Sequence, residues 1–173
     1  EGFEIMSELS SLLRQQRINQ GSLDFDLPEP EVLLDMQGKP EAIIKAERSL
    51  SHMIIEDFMV TANEAVASHL EESGMPSIYR VHEKPNEEKL EGLKKIFSAL
   101  GLKLKRTGPR SFHEILSQAK GKSAESLMNM LLLRSLKQAK YSIDNIGHFG
   151  LASRSYTHFT SPIRRYPDLV VHR

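Results

Sequence analysis

The chain has 173 residues, 27% of them charged and 39% hydrophobic, which excludes a wholly disordered polypeptide and suffices for one domain with a core. It has no cysteine, which excludes a disulfide scaffold, a thiolate zinc site and a cysteine nucleophile, and fits the reducing cytoplasm where we expect it to act. The net charge is zero, with 23 basic and 23 acidic residues, so no global positive field announces a polyanionic partner.

In chain order, Phe3 to Ile18 places Ile5, Leu9, Leu12 and Leu13 on one helical face, and Gly21 supplies the stop. Pro28 and Pro30 forbid a helix next. Val32–Leu34 and Ala42–Ile44 then flank Asp35-Met36-Gln37-Gly38-Lys39 as a β-hairpin. Ser49 caps a long helix over Leu50 to Glu72, apolar on most sides and therefore expected to be central and largely buried. Ile78 to Val81 reads as a short strand. Pro85-Asn86 opens a helix with Leu90, Leu93, Ile96, Phe97 and Leu100 inside and Gly101 at its end.

Lys103 to Arg110 is a basic turn, and Ser111 with Glu114 forms a capping box for a helix ending near Gly121. A further helix is predicted from Ala124 to Lys140, apolar through Leu127, Met130, Leu131 and Leu136. Gly147 to Ser161 has no long apolar stripe and suits an ordered functional loop, and Asp168 to Arg173 begins a last helix. The whole reads as an α+β protein, mainly helical with a few short strands. No run approaches the ~18–20 apolar residues of a membrane-spanning helix, no signal-peptide pattern opens the chain, and no membrane partner is expected. The chain starts at Glu1 without Met and stops at His172-Arg173, directly after an apolar run, so we expect a piece cut from a longer protein.

Between Ser123 and Arg173 there are seven basic and three acidic residues, against 16 and 20 elsewhere, an ordinary imbalance for a solvated surface. Within the long helix, Glu56, Asn63 and Glu64 interrupt the apolar pattern. If the Glu56–Asn63 face is buried, a carboxylate there needs a partner or a job; otherwise it is a narrow solvated stripe. The seven histidines show no metal-ligand spacing, no G-x-S-x-G elbow occurs, and no Walker-type loop is present. Lys103, Lys105, Arg106 and Arg110 suit a flexible surface turn as well as RNA.

The segment from Tyr156 to Leu169 stands apart, with three aromatics, two adjacent arginines, three hydroxyls and two prolines in fourteen residues. Arginine offers a rigid donor fork for a phosphate and for charge building on one during cleavage, and aromatics offer flat faces to unstacked bases. Alternatively, it is a proline-braced loop whose arginines pair with carboxylates such as Asp168.

The run His158-Phe159-Thr160-Ser161-Pro162-Ile163-Arg164-Arg165-Tyr166, with Asp168 and His172-Arg173, resembles the signature of the ribonuclease II/ribonuclease R exoribonucleases, nearest their bacterial ribonuclease R branch. The likeness extends through Gly147-His148-Phe149-Gly150-Leu151, Met130 to Lys140, Tyr79 to Pro85, Ile55 to Met59 with Ala62-Asn63, and Gly21 to Phe25, and so covers essentially the whole chain. It implies an internal to C-terminal portion of an RNB catalytic domain, residues 1–173, from an enzyme that removes nucleotides processively from RNA 3′ ends. Such an enzyme releases nucleoside 5′-monophosphates with Mg²⁺ assistance.

By that resemblance Arg164 reaches the scissile phosphate, Phe25 stacks against the terminal base, and Glu56 contacts the RNA near its 3′ end. Arg165 and Tyr166 belong to the RNA-binding motif. The family's closely spaced metal-binding aspartates have no counterpart here, and Asp24 and Asp26 lie downstream of where that cluster belongs. The flanking RNA-binding barrels are also missing. The expected partners are a single-stranded RNA 3′ end and the missing parts of the catalytic domain, and the isolated chain is expected to be inactive. The alternative is a non-catalytic RNA-binding or interaction module of the same fold.

Overall fold

The computed structural model describes residues 1–23, 30–46, 48–102, 104 and 108–173. Helix α1 (Gly2–Gln20) ends at Gly21, whose φ of 101° lets its N–H return to the carbonyls of Arg17 and Ile18. A Cβ on Gly21 would lie 2.6 Å from the backbone nitrogen of Arg110, so glycine also permits close approach of a later helix. The apolar face of Ile5, Leu9 and Leu12 is exposed, Leu12 by 69%, whereas Ser10 and Arg17 are buried. Helix α2 (Leu50–Glu72) presents the buried carboxylate of Asp57 to α1, and that charge requires donors opposite it more than the apolar stripe requires cover.

The Oγ of Ser49 accepts the N–H of His52 at the start of α2. This helix is less buried than its composition predicts. Its buried residues form one stripe, Ile54, Asp57, Val60, Asn63 and Ala67, while Ile55 is exposed. Strands β1 (Pro30–Leu34) and β2 (Pro40–Lys45) form the expected hairpin, with Val32 opposite Ile43. Asp35 Oδ1 accepts the N–H groups of Gln37 and Lys39 across the turn. Both strands are exposed throughout.

The apolar core lies in the second half. Helix α3 (Glu87–Ala99) is capped by Asn86, whose Oδ1 accepts the N–H of Glu88, and it buries Leu90, Leu93 and Phe97. Ile96 and Leu100, expected inside, are exposed. Helix α4 (Pro109–Ala119) starts two residues before the predicted Ser111 box, because Gly108 takes the cap and Pro109, with no N–H to satisfy, takes the first helical position. Lys103, Lys105 and Arg106 lie outside the described residues. Arg110 donates to the carbonyl of Asn19 at 2.7 Å and ties α4 to the end of α1.

Helix α5 (Glu125–Ser135) stops five residues short of the predicted Lys140. The hydroxyl of Ser135 donates back to the Leu132 carbonyl at 2.6 Å, and Leu136 turns extended. Lys140–Ser142 then forms β4, antiparallel to β3 (Tyr79–Val81), with Arg80 opposite Tyr141. The inward face of α5 is Met128, Asn129, Leu132 and Ser135, whereas Leu127 and Met130 are exposed. Phe112, Phe97, Met128 and Leu132 are fully buried, and Phe149 closes over Phe112 edge-on at 5.7 Å.

Gly147 to Ser161 is an ordered loop, with a 3₁₀ turn at Phe149–Leu151. Helix α6 (Tyr166–His172) starts two residues before Asp168, with Pro167 in its first turn. No helix among the described residues is long and apolar enough to cross a membrane.

Candidate nucleic-acid interface

The motif loop is held from three elements: the segment at β3, α2 and α6. Arg80 donates its backbone N–H to the carbonyl of Tyr156 at 2.8 Å, extending the sheet beyond β3. Thr157, fully buried, donates its hydroxyl to the carbonyl of Ile78 at 2.6 Å. From α2, Asn63 donates Nδ2–H to the Tyr156 hydroxyl at 2.9 Å and accepts the Phe159 N–H on Oδ1 at 3.0 Å. From α6, His172 stacks on Phe159 at 4.1 Å, and its Nε2 lies 2.9 Å from the Phe159 carbonyl.

Asp168 then sets the arginine turn. Its fully buried carboxylate accepts the Ser161 N–H at 2.8 Å and the Arg165 guanidinium at 2.7 and 2.9 Å. Burial opposes its ionisation, but the Arg165 hydrogen bonds, the Ser161 N–H and the Arg165 charge outweigh burial and hold it below the usual carboxylate range. The N–H groups of Arg164 and Arg165 both approach the Ser161 carbonyl, closing one turn.

The two adjacent arginines therefore part company. Arg165 points inward to Asp168, while the Arg164 side chain is exposed and makes no hydrogen bond or ion pair with the described residues. Ile163 and Tyr166 are exposed beside it.

Three histidines, two of them in the loop itself, line up around Tyr156. His148 lies edge-on to His82 and to Tyr156, and His158 lies edge-on to Tyr156 and to Tyr141. His158 Nδ1 and the Tyr141 hydroxyl share a hydrogen bond of 2.8 Å, and the Arg80 guanidinium sits 4.8 Å from the Tyr141 ring centre. Burial pushes His148 down to about 4, helped by the charges of His82 and Arg80. Burial also pushes His158 down to about 4, helped by Arg165, Arg80 and Arg164 against the opposing Asp168. Both rings are neutral at pH 7 and serve as packing and hydrogen-bonding groups rather than cations. His82 accepts the Gly150 N–H on Nδ1 at 3.0 Å, where a Cβ on residue 150 would lie 2.9 Å from that nitrogen.

Glu56 stands elsewhere. It is half-exposed on α2, paired with Arg48 at 2.5 Å, and it lines a small cleft with Arg14, Arg17, Ser22, Leu23 and Leu151. The buried carboxylate is its neighbour Asp57, which accepts from Ser10 at 2.5 Å, from Arg14 at 3.2 Å and from Arg17. No described hydrogen bond or ion pair links Glu56 to the motif loop. Phe25 lies outside the described residues, though Leu23, two residues before it, is fixed by its N–H to the Gly150 carbonyl at 2.8 Å. A larger cleft of about 910 Å³, lined by Glu71, His82, His148 and Arg154 among others, includes neither Arg164 nor Glu56.

Sequence reasoning missed the double role of Asn63 and the partnership of Tyr156 with it. The signal available was an amide in an apolar helix and a tyrosine in a hydroxyl-rich loop. Among the described residues, no group of three or more histidines and carboxylates is arranged to hold a metal ion. The two fully buried carboxylates, Asp57 and Asp168, are both occupied by arginines, so the described residues do not fit a magnesium cage.

The RNB domain family matches residues 1–173, and the chain belongs to it. Its relatives include ribonuclease R of Aquifex aeolicus, 51% identical over 176 residues that cover 100% of this chain and 25% of that protein. Ribonuclease R of Thermotoga maritima is 45% identical over 170 residues, covering 96% of this chain and 24% of that one. The fold matches that of Mycoplasma genitalium RNase R in complex with ribose-methylated single-stranded RNA, with a TM-score of 0.91 and 34% identity. That match covers 99% of this chain and 27% of the other. Yeast Ssd1, described as a pseudonuclease, matches 73% of this chain and 16% of its own, with a TM-score of 0.67 and 27% identity. The chain spans about a quarter of the length of the curated relatives it matches.

Proposed function

We propose that this chain carries the phosphate-binding arginine and part of the RNA 3′-end site of a cytoplasmic exoribonuclease. That enzyme works from 3′ to 5′ and releases nucleoside 5′-monophosphates. The observation that carries this reading is the division of labour between the arginines. Arg165 and Asp168 satisfy each other, and the turn they fix leaves Arg164 exposed, with its five donors uncommitted among the described residues. A guanidinium held out in this way meets the charge that grows on a scissile phosphate.

In the same reading Phe25 stacks on the terminal base, Tyr166 offers an exposed ring beside Arg164, and Arg165, its charge met by Asp168, serves RNA binding by fixing the turn behind them. Glu56 exchanges its half-exposed partner Arg48 for a ribose hydroxyl, since a carboxylate beside a polyanion serves as an acceptor for hydroxyl groups. Mg²⁺ is the cofactor of the intact enzyme, held by carboxylates other than the described residues, and the isolated chain does not hydrolyse RNA.

A second reading, a non-catalytic RNA-binding module, is favoured by the likeness to a pseudonuclease. A time course with 5′-labelled single-stranded RNA and Mg²⁺ separates the two. The native polypeptide that carries this chain should give a descending ladder to a short limit product, and the isolated chain should leave the RNA intact. Binding without any ladder from the native polypeptide would establish the module instead.

A further inference from the structure

The side chain of Asn63 is buried at the middle of α2, and both ends of its amide are spent on the motif loop. Nδ2–H goes to the Tyr156 hydroxyl, and Oδ1 takes the Phe159 N–H. Two residues further on, Asp168 takes the Ser161 N–H, and the carbonyl of Ser161 receives the N–H groups of Arg164 and Arg165. The arginine turn is thus held between an amide on α2 and a carboxylate on α6. The Thr157 hydroxyl and His172 also anchor the segment before Ser161, but Asn63 is the side chain that takes the Phe159 N–H and donates to the Tyr156 hydroxyl.

We propose that Asn63 is a positioning residue for Arg164, acting through Tyr156 and Phe159 without touching RNA. This inference rests on the reading of Arg164 as the phosphate-binding arginine. Burial raises the Tyr156 hydroxyl above its ordinary range, so it stays protonated; it accepts from Asn63 and keeps a proton that an acceptor at position 63 could receive. Aspartate at position 63 keeps the acceptor for Phe159 and receives the tyrosine proton with the polarity of that bond reversed. Leucine fills nearly the same volume and makes neither bond. A misplacement of about 1 Å at a reacting group costs on the order of 100-fold in rate.

The test is steady-state turnover and RNA affinity for Asn63→Leu, Asn63→Asp and Arg164→Ala in the native polypeptide. Asn63→Leu should lose about 100-fold in kcat with Kd for RNA within about threefold, and Asn63→Asp should recover to within about tenfold of wild type. Wild-type turnover by Asn63→Leu, or equal losses in the two variants, overturns the inference. If Asn63→Leu fails to fold, Tyr156→Phe removes one of the two bonds and should show the same selective loss in kcat; wild-type turnover by that variant overturns the inference. Arg164→Ala separates the two levels. Normal turnover there rejects the reading of the site, whereas its loss beside an active Asn63→Leu rejects the positioning role alone.

Discussion

Asp168 grips Arg165 through both carboxylate oxygens, at 2.7 and 2.9 Å, from a helix that begins only one residue after that arginine. The same carboxylate accepts the Ser161 N–H, so one buried charge closes the turn and turns one of two neighbouring arginines inward. The other arginine is exposed as a consequence.

Removing that charge should be costly. Asp168→Ala strands a half-buried guanidinium and a backbone N–H, and loss of one partner of a buried pair costs about 3–5 kcal/mol. Chemical denaturation of wild type and variant checks this value, and a loss below about 1 kcal/mol would mean that water replaces the clamp.

Asp57 makes the same prediction for the join between α1 and α2. It is fully buried and receives Ser10, Arg14 and Arg17. Asp57→Ala should destabilise by about 3 kcal/mol or more, whereas Ser10→Ala should cost about 1–2 kcal/mol because the arginines remain. Double-mutant cycles between Asp57 and Arg17 should show coupling well above that of the exposed Glu56–Arg48 pair, for which about 0–1 kcal/mol is expected.

Stability should fall as the solution is made acidic, beginning above the usual carboxylate range. His148 and His158 are held at about 4 in the folded chain, against an ordinary 6.5 when unfolded. Between those values the unfolded state binds more protons, so the stabilisation is complete above pH 6.5 and is lost as pH falls toward 4. Melting temperature measured from pH 7.5 to 4.5 should drop progressively, and His148→Asn should flatten the slope. A flat profile in the wild type would contradict the buried neutral rings.

Much of this arrangement was legible in the sequence, and the failures have physical causes. Gly21, Ser49 and Asn86 mark true helix ends because each carries its signal in its own backbone or side chain. The 124–140 pattern ran on as a helix because apolar periodicity carries no information about β3, whose pairing with Lys140–Ser142 claims the end of that segment. Spacing picked out polar positions in α2, but burial fell on Asp57 rather than Glu56, since the carboxylate that goes inside is decided by where Arg14 and Arg17 stand on another helix. Likewise, the apolar stripe of α1 was legible as one face, but its exposure was not, because the pattern shows that a face is apolar without showing what covers it. The motif itself was the most readable part, and its two arginines were separated only by geometry.

The most direct test of the central claim is Arg164→Ala in the native polypeptide, with single-turnover cleavage of 5′-labelled RNA, RNA affinity and melting temperature measured together. An exposed, unpaired side chain contributes within about 0.5 kcal/mol to stability, so the melting temperature should stay near wild type. Cleavage should fall by about 100-fold or more, with affinity nearly unchanged, as for the loss of a donor that acts in the transition state. Cleavage at the wild-type rate, or a loss confined to affinity, would contradict the claim that Arg164 acts on the scissile phosphate.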